Sequence, residues 1–445
     1  MLVNVNKLKI LLLLTMMMVL TGSVYSQVWT LQQCIDTAQV YNKTLQISKN
    51  NMEAGAEKVK EAQSNLIPKV QLSGEYKYYF DQPYQLMPQS AFGGPEGVFK
   101  EIQFGTPHNI NVTVQAAMPI YNPQVYGAIK TTKVANELKR LQFKKTKEEV
   151  FINVSNLYYN AQILKHQLAF IDSNMVNNAR LLKTMEILHE QQMAKGTDVE
   201  NVRLQSSQLN VQRETVKSNL EQVIRLLKLT MGVPSDMPFD VETGISYQAN
   251  TEYQPNVVVD VQLANMKKNL VSTEIKTLKN SRIPSVSLYG AYSEVGFGYD
   301  KKPNNFLDFY PASFAGVKIS MPIFNGMVTK RKIIQKEIEL KNNQLQLDLL
   351  NEQNNIQIIN AKKQRELALQ TILNTSKQIK IAKSVYENTV MQQEQGLANI
   401  TDVLMADSKL KQAQQDQITA IVNYLKADLE LKKLTGNINS LTKIN

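Results

Sequence analysis

The spacing of apolar positions along this chain switches between a helical and an extended rhythm, and the whole sequence of switches occurs twice. From Ala128 to Lys195 there is neither glycine nor proline, a run of 68 residues; from Met327 to Gln395 there is a second such run of 69. Shorter uninterrupted runs follow each, Thr197 to Met231 and Leu397 to Thr435. All four are rich in Lys, Gln, Glu, Leu and Ile, which lose little side-chain freedom in a helix. At 1.5 Å per residue each long run would extend roughly 100 Å as one helix, far beyond the usual three or four turns. Leu157, Leu164 and Ile171 are seven apart, as are Ile372, Ile379 and Tyr386, and Ile338, Leu345, Leu349 and Ile356 step by 7, 4 and 7. Such spacing lays an apolar seam against a partner helix. The Asn and Gln residues between these positions leave one face wetted.

Between the helical runs the period falls to two. After Pro68, Val70, Leu72, Gly74, Tyr76, Tyr78 and Phe80 alternate with Lys69, Gln71, Ser73, Glu75 and Lys77. Before Pro119, Ile110, Val112, Val114, Ala116 and Met118 alternate with Asn109, Asn111, Thr113 and Gln115. The later half repeats this less cleanly, with Val286, Leu288, Gly290 and Tyr292 after Pro284 and Ala315, Val317, Ile319 and Met321 before Pro322. These predict four amphipathic strands, long enough to cross a bilayer when tilted. The intervening segments, Asp81 to His108 and Gly298 to Ala312, are rich in Pro, Gly and Asn and are expected to be exposed loops. Four strands cannot close a barrel, and an open sheet edge is not viable in lipid. A membrane-spanning sheet therefore requires shared strands, eight in a dimer or twelve in a trimer. The interior of an eight-stranded barrel is filled by side chains, so a channel favours three or more subunits.

The shorter helical runs match in register. Val202, Leu209, Val216 and Val223 become Ala406, Ala413, Ala420 and Ala427 at an offset of 204, which also carries Asp198-Val199 to Asp402-Val403 and Gly232 to Gly436. A shared heptad, dipeptide and terminal glycine at one offset indicate duplication. The expected organisation is a leader over residues 1–26, a first repeat over 27–240 (helix, two strands, long helix, return helix) and a second of the same order over 241–445. Lys7 and Lys9 precede the apolar run Ile10 to Leu20, and small polar residues lead to Ser26. That is the pattern of a secretory signal, and the run is shorter than the roughly 20 residues of a spanning helix. The lone cysteine, Cys34, lies eight residues beyond the expected cleavage point, which argues against a lipid anchor there.

Composition changes the picture little. The formal charge of +11 falls to +9 without Lys7 and Lys9, and the lysines are scattered among glutamates with no focused basic motif. A solvated helix surface explains this better than nucleic-acid binding. One cysteine excludes an intrachain disulfide. His108, His166 and His189 are dispersed, no phosphate loop is present, and the methionines beyond the expected leader do not cluster. No catalytic constellation, metal site or cofactor is expected.

In its order of pieces the chain resembles the TolC family of outer-membrane efflux proteins. The resemblance rests on the opening helix Leu31 to Asn42, the junctions at Pro68 and Pro284, and the strand ends Met118-Pro119-Ile120-Tyr121-Asn122 and Met321-Pro322-Ile323-Phe324-Asn325-Gly326. It rests most specifically on Gly396-Leu397-Ala398-Asn399-Ile400-Thr401-Asp402-Val403-Leu404 with its alanine heptad and the closing Leu434-Thr435-Gly436. It implies a mainly α chain with a small β part: long antiparallel coiled helices plus four strands, forming in a homotrimer a 12-stranded barrel in the outer-membrane lipid and a helical tunnel across the periplasm. It implies passive export, with a periplasmic adaptor protein docked at the helical turns and an inner-membrane pump supplying energy. Asp402 matches an aspartate lining the closed aperture; the aspartate expected one turn on is Met405 here. Thr197 and Asp198 match a constricting polar network whose tyrosine and arginine partners are replaced by Gln393 and Ala398. Gly196 and Gly396, with Thr401, mark the turns where an adaptor would dock, and both glycines are expected at positive φ. Counted from its glycine, Gly196 to Val199, the first turn looks four residues shorter than the second, Gly396 to Val403. Capping of a helix by Asp402 or Thr401 is the competing role for those residues. The sequence leaves open a duct for protein secretion fed by an ATP-driven exporter, and a periplasmic coiled-coil scaffold.

Overall fold

The computed structural model describes residues 28–248, 252–302 and 305–438. The expected leader lies outside these residues. Seven α-helices occur among them: α1 (Leu31–Tyr41), α2 (Lys43–Ser64), α3 (Pro123–Glu190), α4 (Gly196–Met231), α5 (Val259–Asn280), α6 (Val328–Glu394) and α7 (Ile400–Leu434). The strands are β1 (Val28–Trp29), β2 (Lys69–Tyr78), β3 (Tyr84–Pro88), β4 (Phe99–Gln103), β5 (His108–Tyr121), β6 (Asp240–Val241), β7 (Ser285–Tyr299) and β8 (Phe306–Ser320). No helix among the described residues is long and apolar enough to cross a membrane.

The chain folds into two compact units. One gathers Met52–Arg140 and Ala264–Gln346 and contains the main sheet, an antiparallel four-stranded array in the order β2-β5-β7-β8. Residues directly opposite one another in an antiparallel sheet share a face. Val70, Ala116, Gly290 and Ala315 form one cross-strand row, and Tyr76, Ile110, Gly296 and Phe309 another, on an apolar face. On the opposite face Gln71 and Gln115 stand level with Ala291 and Phe314, and Glu75 and Asn111 with Val295 and Tyr310. That face is polar on β2 and β5 and mixes polar, small and aromatic residues on β7 and β8, which explains the weaker alternation in the second strand pair. The outer edges of β2 and β8 carry no partner strand within this sheet.

Two loop expectations need correction. Residues 81–108 are not simply a loop: β3 and β4 pair as a hairpin, from Tyr84 with Gln103 to Pro88 with Phe99, around a 3-10 turn at Gln89–Phe92. Residues 298–312 are largely strand, because β7 runs to Tyr299 and β8 begins at Phe306. Facing aromatics, Tyr299 with Phe306 at 6.3 Å and Phe297 with Tyr310 at 6.1 Å, hold the two strands together beyond the point where alternation fades. Pro119, which lacks an N–H, sits inside β5 at a register shift between Pro119 and Tyr121, beyond the last residue paired to β2.

The other unit gathers the described residues up to Asn51, those within Leu141–Leu263 and those from Leu347 onward. Its main core joins Cys34, Ile35 and Ala38 of α1 to Val154, Tyr158 and Ala161 of α3 and Leu227 and Met231 of α4. β1 and β6 pair in parallel beside it, and Trp29 stacks on Phe239 at 5.7 Å. Both heptads read from the sequence lie inward: Val202 and Val216 are buried, as are Ala406, Ala413, Ala420 and Ala427. Ile338, Leu345, Leu349 and Ile356 on α6 are instead more than half exposed in the single chain.

Candidate functional site

The site residues expected from the sequence lie at two helical turns, α3 to α4 and α6 to α7. α3 ends at Glu190 and α4 begins at Gly196; α6 ends at Glu394 and α7 begins at Ile400. The turns therefore have equal length, and the offset of 204 runs through them unbroken. Their backbone hydrogen bonds repeat one for one. Gln192 N–H donates to His189 O at 2.9 Å and Gly396 N–H to Gln393 O at 3.0 Å; Met193 N–H donates to Leu188 O and Leu397 N–H to Gln392 O, both at 2.8 Å. Asp198 N–H reaches Lys195 O at 3.0 Å, and Asp402 N–H reaches Asn399 O at 3.2 Å.

This corrects two expectations. The first turn is not four residues shorter; counting from its glycine misaligned it. The left-handed residue there is Gln192, at φ 60°, which corresponds to Gly396 at φ 73°, whereas Gly196 has no positive φ and opens α4. The signal that could have found Gln192 was the offset itself, since position 396 less 204 is 192.

Asp198 and Asp402 occupy the third position of their helices, so neither is a helix cap. Each carboxylate accepts from the backbone N–H of the capping residue, Lys195 at 3.3 Å and Asn399 at 3.0 Å. In the second turn the box is complete, because the Asn399 side chain accepts from Asp402 N–H at 2.9 Å. Lysine has no acceptor, so the first turn has only the return half. Thr401 is not the cap either, since Asn399 fills that role. Neither aspartate pairs with a cation among the described residues. Asp198 and Thr197 are exposed, and Asp402 and Thr401 half-buried. The structure thus places Thr197 and Asp198 at one turn and Thr401 and Asp402 at the other, in equivalent positions on separate helices, with no bond between the two pairs.

Above the turns, polar contacts join α7 to α3. Asn177 donates to Asp407, which also pairs with Lys411 at 2.6 Å, and Lys426 donates to Asn160. Burial lowers the Lys426 ammonium below its ordinary range. A cleft of about 380 Å³ opens beside Asn174, Asn177, Asn178, Leu404 and Met405. Further from the turns, the buried carboxylate of Asp428 meets Arg365 at 3.1 Å, Lys432 at 3.0 Å and the Tyr253 hydroxyl at 2.8 Å. Sequence reasoning missed this group, because Tyr253 and Arg365 lie far in the chain from Asp428 and its i,i+4 partner Lys432.

Among the described residues nothing else competes as a chemical centre. Burial pushes the Cys34 thiol up to about 12, which keeps it protonated and unreactive. No cluster of His, Cys, Asp or Glu able to hold a metal occurs among the described residues. His108 bonds the Tyr76 hydroxyl, His166 the Thr243 carbonyl and His189 the Ala194 carbonyl, so each histidine has a local structural role.

The model of the family described as outer membrane efflux protein matches residues 34–232 and 260–437, both halves of the chain. The chain belongs to the outer membrane efflux protein family. It is similar to the outer membrane protein TolC of Salmonella enteritidis, 20% identical over 429 residues that cover 94% of this chain and 84% of that protein. The TolC of Escherichia coli strain K12 is also 20% identical, over 435 residues covering 93% and 83%. Its fold resembles that of the outer membrane protein VceC of Vibrio cholerae, with a TM-score of 0.70 at 14% identity, covering 91% of this chain and 96% of that one. The protein is located in the outer membrane and belongs to a family of transport proteins rather than enzymes.

Proposed function

We propose that this efflux-family protein is the outer-membrane exit duct of a tripartite export system, a passive conduit open to substrates delivered by an inner-membrane pump through a periplasmic adaptor. The observation that carries the reading is the four-stranded sheet with one apolar face and two unpaired edges, in a chain whose family resides in the outer membrane. Unpaired backbone groups at β2 and β8 cost several kcal/mol each in hydrocarbon, by order of magnitude, unless a neighbouring copy pairs with them. Three copies give twelve strands and a lumen. The exposed seam on α6, at Ile338, Leu345, Leu349 and Ile356, gives the helices a matching reason to assemble. In this reading residues 27–240 and 241–445 are two repeats, which the one-for-one bonding of the turns supports.

The two turns form the periplasmic end, where Gly196, Gly396 and Thr401 lie on the adaptor-facing surface. Thr197, Asp198 and Asp402 border the aperture. A ring of three equivalent carboxylates attracts cations and repels itself, so the closed end is cation-selective.

Conductance of the purified oligomer in planar bilayers tests this. Asp402→Asn keeps an oxygen for the Asn399 N–H and removes the charge, so it should lower cation preference while leaving the oligomer intact. Asp402→Ala removes both charge and bond and should lower selectivity further and loosen the turn. Unchanged selectivity in both variants would remove Asp402 from the aperture, and absence of any conductance even in an Asp198→Ala, Asp402→Ala double variant would sink the duct reading.

A further inference from the structure

The sheet-bearing unit holds a feature that export does not use. Where β5 passes into α3, a cleft of about 600 Å³ is lined by Tyr121, Tyr126, Lys130, Lys133 and Lys276, with no acidic residue. Its framework is rigid. Asn122 caps α3 by accepting from Gln124 N–H at 3.0 Å, and Pro123 follows at the first helical position. Gly127 lies so close to α5 that a Cβ there would stand 2.4 Å from the Thr277 methyl. Tyr121 and Tyr126 pack at 6.0 Å beside this crossing.

Three observations give the cleft a direction and a sign. Tyr121 is level with Val286, and Val286 with Ile319, so Tyr121 belongs to the apolar face of the sheet. The three lysines are exposed and carry no ion pair among the described residues, while acidic neighbours are already occupied: Glu274 by Lys336 at 2.7 Å, Glu137 by Arg140 at 2.8 Å and Glu337 by Lys279 at 3.3 Å. The N-terminus of α3 adds positive potential on the same side. A tyrosine pair with lysines at the end of an apolar strand face is what the boundary between hydrocarbon and headgroups selects.

We infer that this cleft binds the phosphate headgroup of an anionic phospholipid in the leaflet facing the helices, with the tyrosines against the glycerol and upper acyl region and Lys130, Lys133 and Lys276 around the phosphate. The site rests on the membrane placement of the sheet given above. It also gives a use to part of the excess positive charge, which on sequence alone is only a solvated surface.

The test reconstitutes the full-length oligomer in nanodiscs of phosphatidylcholine mixed with phosphatidylglycerol and measures lipid retained after detergent release by native mass spectrometry. Wild type should retain phosphatidylglycerol in preference to phosphatidylcholine. A Lys130→Gln, Lys133→Gln, Lys276→Gln variant should lose about tenfold or more of that preference, because each lysine near an anionic surface contributes to the attraction. A charge-matched Lys362→Gln, Lys363→Gln, Lys377→Gln variant should keep it. Equal retention in the first variant, loss in both, or displacement of the lipid by inorganic phosphate alone would overturn the site. Insertion without lipid preference sinks this inference only, whereas failure of wild type to insert sinks the membrane placement as well.

Discussion

The hairpin α3–α4 and the hairpin α6–α7 share one backbone plan and realise it with different side chains. At the turn, Gln192 takes a left-handed conformation that Gly396 takes freely, and Lys195 stands where Asn399 completes the capping box. A left-handed non-glycine residue costs about 1–2 kcal/mol, and a missing cap about 1 kcal/mol. The first hairpin joins its helices by two partly exposed ion pairs, Arg203 with Glu186 at 3.0 Å and Arg213 with Asp172 at 2.6 Å, and the second by a largely buried pair, Arg365 with Asp428 at 3.1 Å. Solvent screens the two partly exposed pairs, so each adds little. At the far end, Gly232 and Gly436 both close their helices at positive φ, yet Gly232 is pressed against the Tyr41 carbonyl while Gly436 faces Asn256. The comparison teaches that the hydrogen-bond skeleton of the duplicated hairpin has been kept while the local chemistry has diverged, and that the second turn is the better-built of the two.

The glycines offer the strongest way to break that equivalence. A Cβ at Gly232 would stand 2.1 Å from the Tyr41 carbonyl oxygen, against 3.1 Å from Asn256 at Gly436. Gly232→Ala should therefore lower stability by about 3 kcal/mol and Gly436→Ala by about half as much, read from the midpoint of denaturant unfolding. Comparable losses for both would mean that conformation alone decides. At the turn, Gly396 has open space around it, so Gly396→Ala should cost only the left-handed penalty, about 1 kcal/mol, with faster hydrogen exchange confined to 392–402.

Asn399→Ala should cost about 1 kcal/mol and speed exchange of the Asp402 amide roughly fivefold, whereas Lys195→Ala should leave the Asp198 amide unchanged. Equal effects would show that the two caps work alike. The smallest effect is a gain: Gln192→Gly should stabilise the first turn by about 0.5 kcal/mol, the relief of strain less the entropy of glycine, and slow limited trypsin cleavage after Lys195. Faster cleavage would contradict the left-handed assignment.

Much of this was legible in the chain. The four long glycine- and proline-free runs are helices within a few residues of the expected limits, and Leu31 to Tyr41 is the opening helix. The strands β2 and β5 follow their alternation closely. β7 and β8 were harder, because aromatics occupy both faces past Tyr292 and the period of two disappears although pairing continues to Tyr299 and Phe306. The candidate site was legible as to residue type but not as to role. Asp402 and Asp198 were located at the turns, but their position in a capping box depends on where the helix begins, which turn glycines indicated wrongly in the first hairpin. Asp428 and Lys432 stand at an ordinary i,i+4 spacing on α7, and nothing local tied them to Tyr253 or Arg365.

What the sequence determined by itself was periodicity and repetition: where the backbone is helical, where it is extended, that the order recurs at a fixed offset, and that four amphipathic strands cannot stand alone in lipid. These follow from local rules of spacing and from backbone hydrogen bonding, which need no knowledge of neighbours. Only the tertiary structure decided which residue bears the positive φ at the first turn, which carboxylate serves a backbone amide, and which lysines gather beside Tyr121 without acidic partners. Those depend on how the backbone closes and packs in three dimensions, where a single ångström separates the pressed Gly232 from the less crowded Gly436.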